Sequence, residues 1–132
     1  MISEILCLAT AVFFEGRSES EEAQKRIAET VVVRAEDARY PDGLCEVVFQ
    51  KNQYSFTSDG RSNDLFDHLN NPAEEKAALI ALEIAEEVLN KTTLRSSTHY
   101  LRHDVEAPWE SVYNFDGRVG AHEFYTNNTP WR

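Results

Sequence analysis

Ala11-Val12-Phe13-Phe14-Glu15-Gly16-Arg17-Ser18-Glu19 is the stretch whose reading decides the rest of the chain. An apolar run ends there in a carboxylate, and a glycine follows at once. Behind Glu15, the residues Ile2, Ile5, Leu6, Ala9, Val12 and Phe13 recur in steps of three and four, which predicts an amphipathic helix with its apolar stripe on a core. Gly16 is expected to stop that helix, because glycine adopts positive φ at little steric cost. Glu15 would then close a buried helix beside Phe13 and Phe14. Apolar surroundings disfavour an ionised carboxylate, and so does the negative end of the helix dipole. Both raise its pKa, as a general acid working near neutral pH requires. The alternative is a solvated glutamate in a helix-ending turn.

The chain of 132 residues is of single-domain size, so residues 1–132 are expected to form one domain. With 42% apolar and 27% charged residues it is a globular composition. A net charge of -10 argues against nucleic acid as a partner and against an anionic membrane surface. No apolar run approaches the length needed for membrane insertion. The first ten residues, MISEILCLAT, lack a cationic n-region and a small-residue cleavage site, so they do not read as a signal peptide. The expectation is a monomer that is cytosolic, or one that leaves the cell by a route not written in the sequence. Cys7 and Cys45 stand outside any metal-ligand spacing and are expected as buried free thiols. A disulfide is open to them only if their Cα atoms come within about 7 Å.

Further along, Ser18-Glu19-Ser20-Glu21 offers a capping box, with Ser18 as N-cap and Glu21 at its third position. The helix it starts is predicted to run to about Asp37, burying Ala23, Ile27, Val31 and either the stem of Arg34 or Ala35. Tyr40-Pro41-Asp42-Gly43 has turn composition. Residues 44–49 form a short apolar run that periodicity leaves open between helix and strand. Gln53-Tyr54-Ser55-Phe56-Thr57 alternates like a strand, closed by Ser58-Asp59-Gly60. Asn71 as N-cap and Pro72 at the first position start a helix that ends near Asn90, with Ala78, Leu82, Ala85 and Leu89 as its buried stripe. Ser97-Thr98-His99-Tyr100-Leu101 reads as a strand. Residues 119–125 read as another, entered through Gly117 or Gly120, with Pro108-Trp109 in the loop between. Helices followed by small strands predict an α+β fold.

Taken together, these blocks resemble the SleB-like cell wall hydrolases. The family's Glu-Ala-Arg-Gly-Glu motif stands here as Glu15-Gly16-Arg17-Ser18-Glu19, and its Gln-Phe-Ser motif as Gln53-Tyr54-Ser55. Thr98-His99-Tyr100, Pro108-Trp109 and Val119-Gly120-Ala121-His122-Glu123-Phe124-Tyr125 follow in the family's order, so the resemblance covers residues 7–125. Val33 replaces the asparagine usual before Arg34, and Ser96-Ser97 replaces a glycine-alanine pair. The resemblance implies a lysozyme-like helical core with a small antiparallel sheet. It implies cleavage of peptidoglycan glycan strands between N-acetylmuramic acid and N-acetylglucosamine, as a lytic transglycosylase or a muramidase-like endolysin. One glutamate, Glu15, would be catalytic, and no cofactor is expected.

Breaking a glycosidic bond requires a proton on the leaving oxygen, and two-carboxylate hydrolases add a second carboxylate across the sugar. A transglycosylase needs only one, because the muramoyl 6-hydroxyl attacks its own anomeric carbon. Glu19 is therefore expected to orient Arg17 or bind substrate; the alternative is a charge favoured by a helix N-terminus. Gln53, Tyr54, Ser55, Tyr100 and Tyr125 are expected to line a sugar cleft by Glu15, with His99, Trp109 and His122 completing the substrate-binding set. Strand packing, structural histidines and a core plug at Trp109 are the competing readings. His68, His99, His103 and His122 would be the ligands of a zinc-dependent peptidoglycan peptidase, although no H-E-x-x-H is present. A non-catalytic wall-binding module is the third class. Turnover separates the module from both enzymes, and chelator sensitivity separates the enzymes.

Overall fold

In this computed structural model the described residues are 4–17, 19–37, 39–40, 43–49, 65–91 and 97–127. The predicted strand at Gln53-Tyr54-Ser55-Phe56-Thr57 and its closing turn lie outside them, as does Ser18. The remaining expectations meet an α+β arrangement of helices α1 (Glu4–Glu15), α2 (Glu21–Glu36), α3 (Leu44–Val48) and α4 (Pro72–Leu89), and strands β1 (His99–Arg102), β2 (Asn114–Val119) and β3 (His122–Thr126).

Helix α1 is the axis of the core. Every residue from Cys7 through Phe13 is buried, the signature of a helix wrapped on all sides rather than one lying on a surface. It packs against α4, α2 and α3. Thr10 is tolerated inside because its Oγ1 donates to the Leu6 carbonyl at 2.7 Å. Ile5, expected on the inner stripe, is instead 39% exposed. The helix does end at Glu15, but by another device than the one expected: Gly16 is absent from the positive-φ glycines. A side chain at Gly16 would place Cβ 3.1 Å from Gln24 Cγ and 3.3 Å from Ile27 Cδ1, so glycine lets α1 approach α2 closely.

The start of α2 also differs from expectation. A turn from the Gly16 carbonyl to the Glu19 amide delays the helix, and Ser20, not Ser18, becomes the N-cap, its hydroxyl accepting from the Ala23 amide at 3.2 Å. The capping box with Glu21 is therefore not formed. Ala23, Ile27 and Val31 are buried as predicted, and Arg34 is buried to its guanidinium, at 4% exposure. Helix α4 has the Asn71 cap, accepting from the Glu74 amide at 2.9 Å, and Pro72 in its first turn. Its buried stripe is Ala78, Ala81, Ile84, Ala85 and Val88; Leu82 and Leu89 are half-buried at its margin. The 44–49 run resolves as the short helix α3.

Cys7 of α1 and Cys45 of α3 form a disulfide, with Cα atoms 5.3 Å apart. This corrects the expectation of free thiols: the two helices cross where both cysteines sit, a proximity invisible in a separation of 38 residues.

The sheet is antiparallel in the order β1-β3-β2. The single strand expected over residues 119–125 is in fact a hairpin, turning at Gly120 between β2 and β3. Strand β2 escaped notice because it lies mostly exposed, so its alternation is weak. A bulge between Phe115 and Gly117 adjusts its register. Arginines on α2 attach the sheet to the helices. Arg26 lies 4.4 Å from the centre of the fully buried Phe124 ring and donates from Nη2 to Ser97 Oγ. Arg34 Nε donates to the Thr98 carbonyl. No described helix is long and apolar enough to cross a membrane.

Candidate active site

Glu15 is the last residue of α1, half-buried where that helix meets α2. Burial pushes its pKa up from 4.5 to about 7, and the Arg34 guanidinium opposes the rise without cancelling it. Desolvation thus outweighs a buried cation in the vicinity. The carboxyl is left able to hold a proton near neutrality.

Arg34 connects this acid to a cleft of about 430 Å³. It is lined by Arg34, Arg39 and Tyr40, at and beyond the end of α2, by His99 and Tyr100 of β1, by Trp109 and Tyr113 of the β1–β2 loop, and by Asn127. The aromatic rings hold one another in place. Trp109 stacks on Tyr113 with centroids 5.6 Å apart, and His99 touches both at 4.9 Å. Tyr40 lies 6.0 Å from His99, and its hydroxyl accepts from Asn127 Nδ2 at 3.1 Å. Burial, reinforced by Arg34 and Arg39, lowers the His99 pKa to about 3, so the ring is neutral at working pH. Its Nδ1 lies 2.9 Å from Thr98 Oγ1. Aromatic faces with a few fixed polar groups suit a sugar, whose C–H faces stack while its hydroxyls bond.

Strand pairing decides which predicted residues can meet. His99 pairs with Tyr125, Tyr100 with Phe124 and Arg102 with His122. Paired residues share a face, so His99 and Tyr125 stand on one side of the sheet, and Tyr100, His122 and Phe124 on the other. Of the two tyrosines expected in one cleft, Tyr100 is among the lining residues and Tyr125 is not. Tyr125 is buried behind the cleft with its ring on Trp109 at 5.2 Å. Tyr100 reaches the lining while packing against the helical core and, at 5.6 Å, against His122. Trp109 lines the cleft and is only half-buried. Gln53, Tyr54 and Ser55 lie outside the described residues.

Glu19 and His122 meet each other away from this cleft. His122 Nδ1 is 2.8 Å from Glu19 Oε1, and Glu19 Oε2 accepts from the Ala121 amide at 3.4 Å. Burial lowers the pKa of His122, and Glu19 opposes that shift. Glu19 thus tethers the hairpin turn to the segment that follows Glu15. The turn allows this because Gly120 has φ +59 and would otherwise present a Cβ 2.7 Å from Glu19 Oε2. Gly120→Ala is accordingly expected to lower stability by about 1–2 kcal/mol, from the left-handed backbone, and to displace Glu19. Denaturant melts check this; an unchanged midpoint would mean that the turn relaxes freely.

The histidines proposed as zinc ligands are dispersed. His99 and His122 occupy opposite faces, and His103 is exposed in the turn after β1. Among the described residues no group of three or more His, Cys, Asp or Glu side chains is placed to hold a metal ion.

Arg39, Tyr40, Tyr113 and Asn127 are cleft residues that the sequence reading missed. Arg34 carried a signal: it falls in register with Ala23, Ile27 and Val31, and a cation on a buried stripe asks for a reason. Tyr40 was absorbed into a turn, and Tyr113 gave no sign.

The chain matches the model of the cell wall hydrolase family over residues 18–125, a segment that begins just after Glu15. In fold it is similar to the catalytic domain of the germination-specific lytic transglycosylase SleB from Bacillus anthracis, at 22% identity, 93% coverage of each chain and a TM-score of 0.67. It is similar also to the catalytic domain of the Bacillus cereus SleB protein, at 21% identity, 93% of this chain, 89% of that one and a TM-score of 0.65. No curated protein matches it in sequence.

Proposed function

The chain belongs to the cell wall hydrolase family, and from that premise we propose that it cleaves peptidoglycan glycan strands between N-acetylmuramic acid and N-acetylglucosamine, with Glu15 as the single acid. The observation that carries this reading is the pKa of about 7 at Glu15, on a buried helix end that Arg34 joins to an aromatic cleft. In the first step the Glu15 carboxyl gives its proton to the glycosidic oxygen as the bond to the muramoyl anomeric carbon breaks. The resulting carboxylate then takes the proton of the muramoyl 6-hydroxyl as that oxygen bonds to the same carbon. The product is a 1,6-anhydro end, and Glu15 is protonated again without a second carboxylate or a water. The fold shared with a lytic transglycosylase supports this route over hydrolysis. Mass spectrometry of digested peptidoglycan tests it: 1,6-anhydro ends are expected, reducing muramic ends would replace the internal hydroxyl by water, and freed peptides would overturn the glycosidase reading.

The disulfide suits work outside a reducing cytoplasm, which favours release to the wall over a cytosolic role. The enzyme would act there as a monomer on extended strands.

The pH dependence follows from the acid. Glu15 must begin the cycle protonated, so kcat/KM should fall as pH rises through about 7. A profile measured with peptidoglycan should show this descending limb in the wild type. Activity that stays level well above pH 7 would remove Glu15 from the acid role.

A further inference from the structure

We infer that the aromatic cleft recognises a carboxylate on the muramoyl substituent of the glycan, with Arg39 as its specificity-determining contact. The inference rests on the glycan-cleaving function proposed above and names a chemical feature of the substrate that the cleft selects.

The chain as a whole carries -10, yet among the described residues the cleft is lined by two guanidinium groups and by no aspartate or glutamate. Arg39 is held at the cleft by a two-pronged pair with Asp37, whose carboxylate is 96% buried beneath it: Nε lies 3.0 Å from Oδ1 and Nη2 2.6 Å from Oδ2. That pairing fixes the plane of the guanidinium before any ligand arrives, so little ordering remains for binding to accomplish. Tyr40 supports both cations, with Arg34 5.7 Å and Arg39 5.9 Å from its ring centre. The same cleft is lined by the Trp109–Tyr113 stack. It therefore offers both a sugar face and an anion partner.

The muramoyl residue combines those two features. Its 3-oxygen carries a lactyl group that ends either in a free carboxylate or in an amide-linked peptide bearing carboxylates of its own. A neutral N-acetylglucosamine polymer has the sugar faces and lacks the charge. His99, also in the lining, registers the same field: burial lowers its pKa most, Arg34 and Arg39 add to the shift, and their part of the potential, which disfavours a proton there, favours an anion.

The test uses binding, so that it does not depend on turnover. Three N-acetylglucosamine–N-acetylmuramic acid disaccharides serve as probes: one with the peptide stem, one with the free lactyl carboxylate, and one with its carboxylates converted to amides. They are titrated against the wild type, Arg39→Gln, Arg39→Lys and the double variant Asp37→Asn/Arg39→Gln. The double variant guards against a fold weakened by leaving Asp37 buried without its partner. The wild type should bind at least one carboxylate probe about 10-fold more tightly than the amide, the scale of one charge-assisted hydrogen bond. Whichever carboxylate probe binds better identifies the source of the anion. Arg39→Gln and the double variant should lose the preference, and Arg39→Lys should keep part of it. Equal behaviour of the three probes toward the wild type, or a preference that survives in both variants lacking the Arg39 charge, overturns the inference. Peptidoglycan turnover, measured separately, bears on the proposed reaction alone.

Discussion

Glu15→Gln should turn over peptidoglycan at least about 10²-fold more slowly than the wild type, the usual scale for a positioned acid, while melting at the same temperature or higher. Glutamine keeps the shape of the side chain and cannot supply the proton. The stability half of the expectation follows from the sign of the pKa shift. With the folded pKa raised to about 7 from 4.5, the folded state binds the proton more tightly than the unfolded one. The stabilising contribution of the protonated carboxyl is complete below the unfolded pKa and is lost as pH rises through about 7. Above that the wild type holds an ionised carboxylate at a penalty of up to about 3 kcal/mol, and glutamine removes it. The gain in melting temperature should thus be largest at alkaline pH and small near pH 4. Glu19→Gln should slow turnover less, since Glu19 holds the hairpin turn. A folded Glu15→Gln protein with near-normal activity would end the single-acid mechanism, whatever the product analysis showed.

The largest effect on stability should come from the Cys7–Cys45 bond. Closing a separation of 38 residues restricts the unfolded chain by about 4 kcal/mol on the loop-entropy model, a large share of the roughly 5–15 kcal/mol that holds a domain together. Cys7→Ala/Cys45→Ala, or the wild type under dithiothreitol, should melt about 10–20 °C lower. The loss should appear as a shift in the transition, because the bond joins α1 to α3 and neither cysteine is among the cleft residues. Agreement of the reduced and oxidised melting points within a degree or two would show that the bond adds nothing to stability in solution.

How much was legible beforehand depended on whether a feature is local. Glu15 could be read as a helix-ending carboxyl with a raised pKa because the cause lies within a few residues: an apolar helix, then a carboxylate, then glycine. The Asn71–Pro72 start of α4 was legible for the same reason. The N-cap of α2 slipped by two residues because a tertiary demand, the close contact of Gly16 with Gln24 and Ile27, shaped the preceding turn. The disulfide depends on where two helices cross, and the sequence does not contain that crossing. In the site, the family blocks pointed to His99, Tyr100 and Trp109 and missed Arg39, Tyr40 and Tyr113. Those three owe their place to the exit from α2 and to the fold of the β1–β2 loop, and no periodicity marks either. Tyr125 showed the opposite failure: it lies in a strand as read, but its ring is buried against Trp109, a contact that depends on the fold of the β1–β2 loop.

In the order β1-β3-β2 the strand that comes last in sequence lies in the middle. While the polypeptide is being made, β1 therefore has no neighbour to bond until β3 has emerged, and His99 has no frame to hold it against Trp109 and Tyr113. The proposed acid on α1 is made early, whereas the cleft is finished only when residues 122–126 are in place. Growing or truncated chains that stop short of β3 thus carry Glu15 without an assembled cleft, which under the proposed mechanism separates synthesis of the acid from competence to use it.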